Sequence, residues 1–132
     1  DVKQVVDYLR ERDVPQAIRH PKDHRPWGWF ESLVLDRNFQ VKRIFVKPGA
    51  ALSLQSHRHR SEHWVIVNGI GTVTIEEAVT QLVEGQSIYV PLGAKHRLEN
   101  REPRDLEIIE VQIGSYFGED DIVRIEDDYN RK

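Results

Sequence analysis

The stretch that decides the fold reads GAALSLQSHRHRSEHWVIVNG over residues 49–69 and resumes as GQSIYVPLGAKHRLEN over residues 85–100. In the first segment five residues separate Gly49 from Gln55, one separates Gln55 from His57, four precede Glu62 and six more lead to Gly69. In the second, five residues lie between Gly85 and Pro91, one before Gly93, two before His96 and three before Asn100. A metal site needs donors from separate backbone segments, and imidazole with carboxylate is the usual means. Two antiparallel strand pairs folded over each other would bring Gln55, His57, Glu62 and His96 into one barrel mouth. Side chains alternate along a strand, so Ser53, Gln55 and His57 are expected on one face, and Leu52 and Leu54 on the other. By the same rule Glu62, Trp64 and Ile66 share a face, so Glu62 enters the barrel while His63 points away.

Working outward, period-two runs continue on both sides. They cover residues 29–35, 39–46, 51–57, 62–67, 72–75, 79–83, 87–90, 96–99 and 106–113. Turn signals separate them at Asp36-Arg37-Asn38, Pro48-Gly49, Asn68-Gly69, Gly85, Gly93 and Pro103. Many short strands with almost no helix among them indicate an all-β antiparallel sandwich or barrel. Upstream, Val2, Val5, Val6 and Leu9 recur at helical spacing, with Asp1 and Gln4 placed like a capping box and Pro15 as a stop. A short N-terminal amphipathic helix and linker over residues 1–24 is therefore expected ahead of a β domain over residues 25–132. Residues 20–26 read as an irregular surface connection, and the tail from Gly114 as acidic with Ile122, Val123 and Ile125 as docking points. Bare Leu52 and Leu54 would be costly, so the N-terminal segment or a second subunit is expected to cover them, and a homodimer is a natural candidate.

A length of 132 residues suits one domain with a real core. The net charge of −3 makes neither nucleic acid nor an anionic membrane surface an expected partner. Cysteine is absent, which excludes disulfides, zinc ribbons and thiolate nucleophiles and leaves nitrogen and oxygen donors for any metal. No apolar run approaches the ~20 residues of a membrane span, and no signal-peptide core is present, so a cytoplasmic location is expected. A chain that starts at Asp1 without an initiator Met is expected to be a piece of something longer.

The two segments resemble the paired consensus motifs of the cupin superfamily, a double-stranded β-helix or jelly roll, with Gln55 standing where the first histidine of the usual His-x-His pair would be. The resemblance narrows through Arg25-Pro-Trp-Gly, Phe39-Gln-Val-Lys-Arg, Ser53-Leu-Gln, His59-Arg-Ser-Glu-His-Trp, Pro91-Leu-Gly-Ala-Lys-His-Arg-Leu-Glu-Asn and Gly118-Glu-Asp-Asp-Ile-Val-Arg. These are similar to type II mannose-6-phosphate isomerases, in which this cupin is the C-terminal domain of bifunctional mannose-1-phosphate guanylyltransferase/mannose-6-phosphate isomerases. The resemblance covers residues 25 to 131, and residues 1 to 24 resemble the family's connection from the nucleotidyltransferase domain loosely. It implies a sugar-phosphate substrate, a metal held by a Gln, two His and a Glu, and an arginine at the position of Arg60 needed for activity. No Gly-rich phosphate-cradling loop opens a helix here, so this chain alone is not expected to make a GDP-sugar.

The expected metal set is Gln55, His57, Glu62 and His96 around one divalent ion such as zinc, manganese or cobalt. A neutral amide oxygen in place of an imidazole hardens the site and favours Lewis-acid over redox chemistry. A second register, with His57 and His59 as the pair, leaves seven residues after Gly49 and two before Glu62. Gln55 is preferred, which leaves His59 beside the site or in catalysis. A sugar phosphate is a dianion, and Arg60, Lys95, Arg97, Arg43 and Arg25 are the candidates to hold it or to balance developing charge. Isomerisation needs an electrophile on two oxygens and a base facing carbon, and His59 and Lys95 are the candidate bases. His63, His20 and His24 carry no supporting context, and Trp27, Trp29 and Trp64 read first as core or rim. Two competitors stand beside the isomerase: a non-catalytic sugar-phosphate-binding cupin that serves the guanylyltransferase, and another cupin enzyme such as a dioxygenase, which expects iron and usually a histidine at Gln55.

Overall fold

A computed structural model describes residues 21–118 and 121–126. Eleven strands follow one another: β1 (Asp23–Arg25), β2 (Gly28–Leu35), β3 (Phe39–Val46), β4 (Leu54–His57), β5 (Arg60–Asn68), β6 (Gly71–Ile75), β7 (Ala78–Leu82), β8 (Ser87–Val90), β9 (His96–Glu99), β10 (Leu106–Gly114) and β11 (Ile122–Glu126). They form a six-stranded sheet in the order β1-β2-β3-β10-β5-β8 and a five-stranded sheet in the order β11-β4-β9-β6-β7. From β3 to β11 consecutive strands pass between the two sheets at every step except the β6–β7 pair, as in a jelly roll. The N-terminal helix expected near residues 1–12 lies outside the described residues. Among those described, no helix is long and apolar enough to cross a membrane.

Cross-strand register sorts the inner face of the large sheet into rows. Ile108 of β10 lies between Ile44 of β3 and Ile66 of β5, and all three are buried. One step along, Glu110 lies between Lys42 and Trp64, and one further, Gln112 lies between Gln40 and Glu62. The face is thus apolar at one end and polar at the other. The apolar end packs on Val73 and Leu98 of the small sheet, with Val46 and Leu106 fully enclosed. That packing is the hydrophobic anchor that lets the polar end stay open.

Three expectations change. The run over residues 51–57 is a strand only from Leu54; Ala51 makes a single bridge to Glu99, and Leu52 donates its amide to the Leu98 carbonyl at 2.9 Å. This irregular entry after the Pro48-Gly49 turn breaks the alternation. Leu52 therefore turns inward onto the core and needs no partner to cover it, while Leu54 is half-buried. Residues 23–25 are not an irregular connection but β1, paired with β2. The acidic tail contains β11, which pairs antiparallel with β4. Both are edge strands, which need only one ladder and show little alternation.

Gly114 faces Arg60 across β10 and β5. A Cβ at Gly114 would lie 2.1 Å from the His59 carbonyl oxygen and 2.8 Å from the Arg60 Cα, both backbone atoms that cannot swing aside. Gly114→Ala is therefore expected to lower unfolding free energy by about 2 kcal/mol or more. A denaturant midpoint equal to that of the parent would show that the backbones do not approach this closely.

Candidate metal centre

A two-residue connection at Arg58 and His59 carries the chain from β4 in the small sheet to β5 in the large one, which keeps His57 and Glu62 close together. In the small sheet, Gln55 of β4 is the register partner of His96 on β9. As a result His57, Glu62 and His96 each offer a ligand atom, and these atoms lie within 4.8 Å of one another. The His57 Nε2 is 3.4 Å from Glu62 Oε2, and the His96 Nε2 is 3.5 Å from Glu62 Oε1. All three side chains are buried. The His96 Nδ1 lies 3.0 Å from the Ala94 carbonyl, which can only accept, so Nδ1 carries the proton and Nε2 keeps its lone pair. The two imidazoles are tilted at 4.9 Å, and the edge-on Trp64 ring at 5.5 Å fixes His96 from the other side.

Glu62 is the hub. It accepts from Arg60 Nε at 3.2 Å, Trp64 Nε1 at 3.2 Å and Gln112 Nε2 at 3.3 Å. Burial raises its carboxyl above the ordinary range, with Arg60 and Lys42 pulling the other way. Burial, and then the positive charge of Arg60, holds His57 down at about 2. Burial likewise lowers His96 despite its bond to Ala94. Two neutral rings with lone pairs and a desolvated carboxylate are a donor set that a divalent cation would complete. The buried His57 Nδ1 has no hydrogen-bond partner among the described residues, which fits a ring placed for its other nitrogen. The residues present therefore fit a metal ion.

Gln55 lines the same cavity. Its Nε2 lies 3.4 Å from both the Ser53 carbonyl and the Ser53 hydroxyl, so the amide oxygen is the donor atom left for a cation. Arg60 is buried in the wall, its Nη2 3.4 Å from the His57 Nε2 and its Nη1 donating to the Phe117 carbonyl at 3.4 Å.

The other candidates are placed elsewhere. His59, in the connection between β4 and β5, has a side chain 53% exposed and pairs with the Asp121 carboxylate at 2.6 Å. Lys95 is exposed, and its backbone amide donates to Glu76 at 3.0 Å. Arg97 follows His96 and so projects from the other face of β9, where Nε donates to the Leu52 carbonyl at 2.9 Å. Arg43 occupies the outward position next to Lys42, donates to the Glu107 carboxylate at 3.0 Å and lies 5.5 Å from the Trp29 ring. None of these four lines the cavity.

The cavity holds about 60 Å³ of internal space and opens to solvent at its mouth. Its wall includes residues the sequence reading passed over: Lys42, Glu110, Gln112 and Arg124. Gln112 donates to Glu110 as well as to Glu62. A signal existed, since Glu110 and Gln112 share a strand face with Ile108, and Lys42 shares one with Ile44 and Val46. Polar residues on a core-facing strand face are costly unless partnered, which marks them as candidates.

A family model described as the mannose-6-phosphate isomerase C-terminal domain matches residues 8–127. The chain is 54% identical over 131 residues to a xanthan biosynthesis protein XanB of Xanthomonas campestris pv. campestris, covering 99% of this chain and 28% of the relative. It is 53% identical to an alginate biosynthesis protein AlgA of Pseudomonas syringae pv. tomato, covering 98% of this chain and 27% of that protein. To a mannose-1-phosphate guanylyltransferase of Escherichia coli it is 48% identical, covering 99% and 28%. The chain therefore spans under a third of the length of these curated relatives. Among solved structures it is similar to an oxalate decarboxylase of Bacillus subtilis, with a TM-score of 0.73 at 21% identity over 82% of this chain and 30% of that one. An RmlC-like cupin from Shewanella frigidimarina gives a TM-score of 0.69 at 21% identity, covering 78% and 89%. At that identity the likeness establishes the cupin fold alone.

Proposed function

The chain belongs to the mannose-6-phosphate isomerase C-terminal family, and from that membership we propose that it is a metal-dependent aldose–ketose isomerase interconverting mannose 6-phosphate and fructose 6-phosphate. In this reading it works in the cytoplasm, as the domain following a mannose-1-phosphate guanylyltransferase, and serves polysaccharide biosynthesis. The observation that carries it is the convergence of His57, Glu62 and His96 on one point in a cavity open to solvent.

His57, Glu62, His96 and the Gln55 amide oxygen would hold one divalent ion such as zinc, manganese or cobalt. When bound, such an ion supplies a Lewis acid that polarises the sugar's O1 and O2. The rest is the work of the chain. Isomerisation breaks the C2–H bond, passes through a cis-enediolate, returns that proton to C1 and moves the O2 hydroxyl proton to O1, so one group must take and give back the carbon-bound proton. Glu110 is the cavity carboxyl outside the donor set. Burial, reinforced by the charge of Glu62, pushes it up to about 7, which places its proton exchange near neutral pH. Gln112 donates to it and fixes its orientation. Glu110 takes the role for which His59 and Lys95 were candidates, because both of those lie outside the cavity wall. Arg60, pinned to Glu62 and buried beside His57, offers fixed positive charge to the enediolate.

A coupled assay for fructose 6-phosphate tests the reading. Metal-loaded chain is expected to turn over mannose 6-phosphate, and chelation to reduce the rate by about a hundredfold or more, reversibly on metal addition. Undiminished turnover in metal-free protein would sink the metal's role. Binding of the sugar phosphate without turnover by the loaded chain would leave a binding module instead.

A further inference from the structure

Only Arg58 and His59 lie between His57, the last residue of β4, and Arg60, the first of β5. The path of that connection sets where the His57 ring stands relative to Arg60 and Glu62. Backbone groups hold it from one side: the His57 carbonyl accepts from the Gly93 amide at 3.0 Å, and the His59 carbonyl from the Ser115 amide at 3.0 Å. A side chain holds it from the other. The Arg58 amide donates to Asp121 Oδ1 at 3.2 Å and the His59 amide to Asp121 Oδ2 at 3.1 Å. Each carboxylate oxygen thus takes one of two successive amides, and the His59 ring Nδ1 lies 2.6 Å from Oδ1 as well. The Asp121 side chain is 1% exposed, so water does not compete for these bonds. A carboxylate on successive backbone amides is a charge-assisted clamp, stronger than a neutral one.

We propose that Asp121 is a positioning residue of the metal centre: by gripping both amides of the connection it holds His57 in register with Glu62, and so sets the affinity for the cation. This rests on the metal reading of the site and adds to it a group that touches no donor. Asp121 does not line the cavity, so it acts through the backbone. The lever is short. His57 Nε2 is 3.4 Å from Glu62 Oε2 and 3.4 Å from Arg60 Nη2, and metal–ligand distances tolerate only about 0.2 Å of error. A drift of the connection is therefore passed directly to the donor pair. The same clamp fastens the start of β11 beside the site. Ile122, the next residue, is the register partner of His57, Arg124 is that of Gln55, and both line the cavity.

Cobalt(II), titrated into the intact metal-free chain and followed by its visible absorption and by calorimetry, tests this. Asp121→Ala is expected to weaken cobalt binding by about 10–100-fold, the usual cost of losing a partner that orients metal ligands. Asp121→Asn should fall between Asp121→Ala and the parent, since in either orientation its NH2 faces one of the two amides. His59→Ala keeps both amide bonds and should lose less than Asp121→Ala. Val73→Ala loosens the fully buried apolar end, away from the donors, and should bind cobalt as the parent does. Parent-like affinity in Asp121→Ala would overturn the proposal, as would an equal loss in His59→Ala or in Val73→Ala. Should Asp121→Ala not fold, Asp121→Asn decides by the same titration: weakened binding supports the role and parent-like binding overturns it. If the parent binds no cation, the metal reading fails separately. The ring-nitrogen chemical shifts of His57 in metal-free Asp121→Asn then decide: displaced from the parent's they support the positioning role, unchanged they overturn it.

Discussion

Replacing His96 by alanine is expected to cost about a thousandfold or more in isomerase turnover and to leave the protein without stoichiometric metal. The ring is buried, its tautomer is set by the Ala94 carbonyl at 3.0 Å, and its lone-pair nitrogen faces Glu62 at 3.5 Å. Deleting it removes one donor and opens a space beside Trp64, while β9 stays paired with β4 and β6 through its backbone. The fold should therefore survive, seen as an unchanged far-ultraviolet circular dichroism spectrum. His96→Ala is a cleaner probe than Glu62→Gln, because the latter also strips the partner from buried Arg60 and would mix stability loss with lost chemistry. Element analysis and the coupled assay check the prediction together. Full turnover by metal-stripped His96→Ala protein would end the mechanism proposed above.

Glu110→Gln should separate activity from stability in opposite directions. If Glu110 carries the proton, its amide cannot, and kcat should fall by about 10²–10⁴-fold with metal content and KM little changed. The stability sign follows from a pKa raised in the folded state, from 4.5 to about 7. Between those values the folded protein holds a proton that the unfolded chain has released, so stability falls as pH climbs through this window and stays lower above it. Glutamine removes that loss. Metal-free Glu110→Gln should accordingly be more stable than the parent at pH 8, by on the order of 1–3 kcal/mol, and close to it near pH 4. Parent-like kcat would remove Glu110 from catalysis. Lost activity accompanied by destabilisation at pH 8 would reassign it to structure alone.

What was legible beforehand had a local cause. Period-two alternation marked nearly every strand of the two sheets, and the turns at Asn68-Gly69 and Gly93 punctuated them where expected. The segments around Gln55 to Glu62 and around His96 carried the donor pattern, because the connection that joins His57 to Glu62 is short. The phosphate-binding expectation for Arg43 and Arg97 had no such support. Each sits one position from an inward residue, Lys42 or His96, and in a strand one position is the whole difference between cavity and outer face.

By itself, then, the order of residues determined an antiparallel sandwich or barrel of alternating strands and a set of nitrogen and oxygen donors that could hold a cation. Only the tertiary structure decided which polar groups share the cavity with them: Glu110 beside Lys42, Gln112 against Glu62 at 3.3 Å across 50 residues of chain, and Arg25 and Arg124 brought in by edge strands. The physical reason is range. Alternation and turns follow from the dihedrals of adjacent residues, whereas the neighbours of a buried charge follow from the register between distant strands, which is set by how the whole apolar end of the sandwich packs.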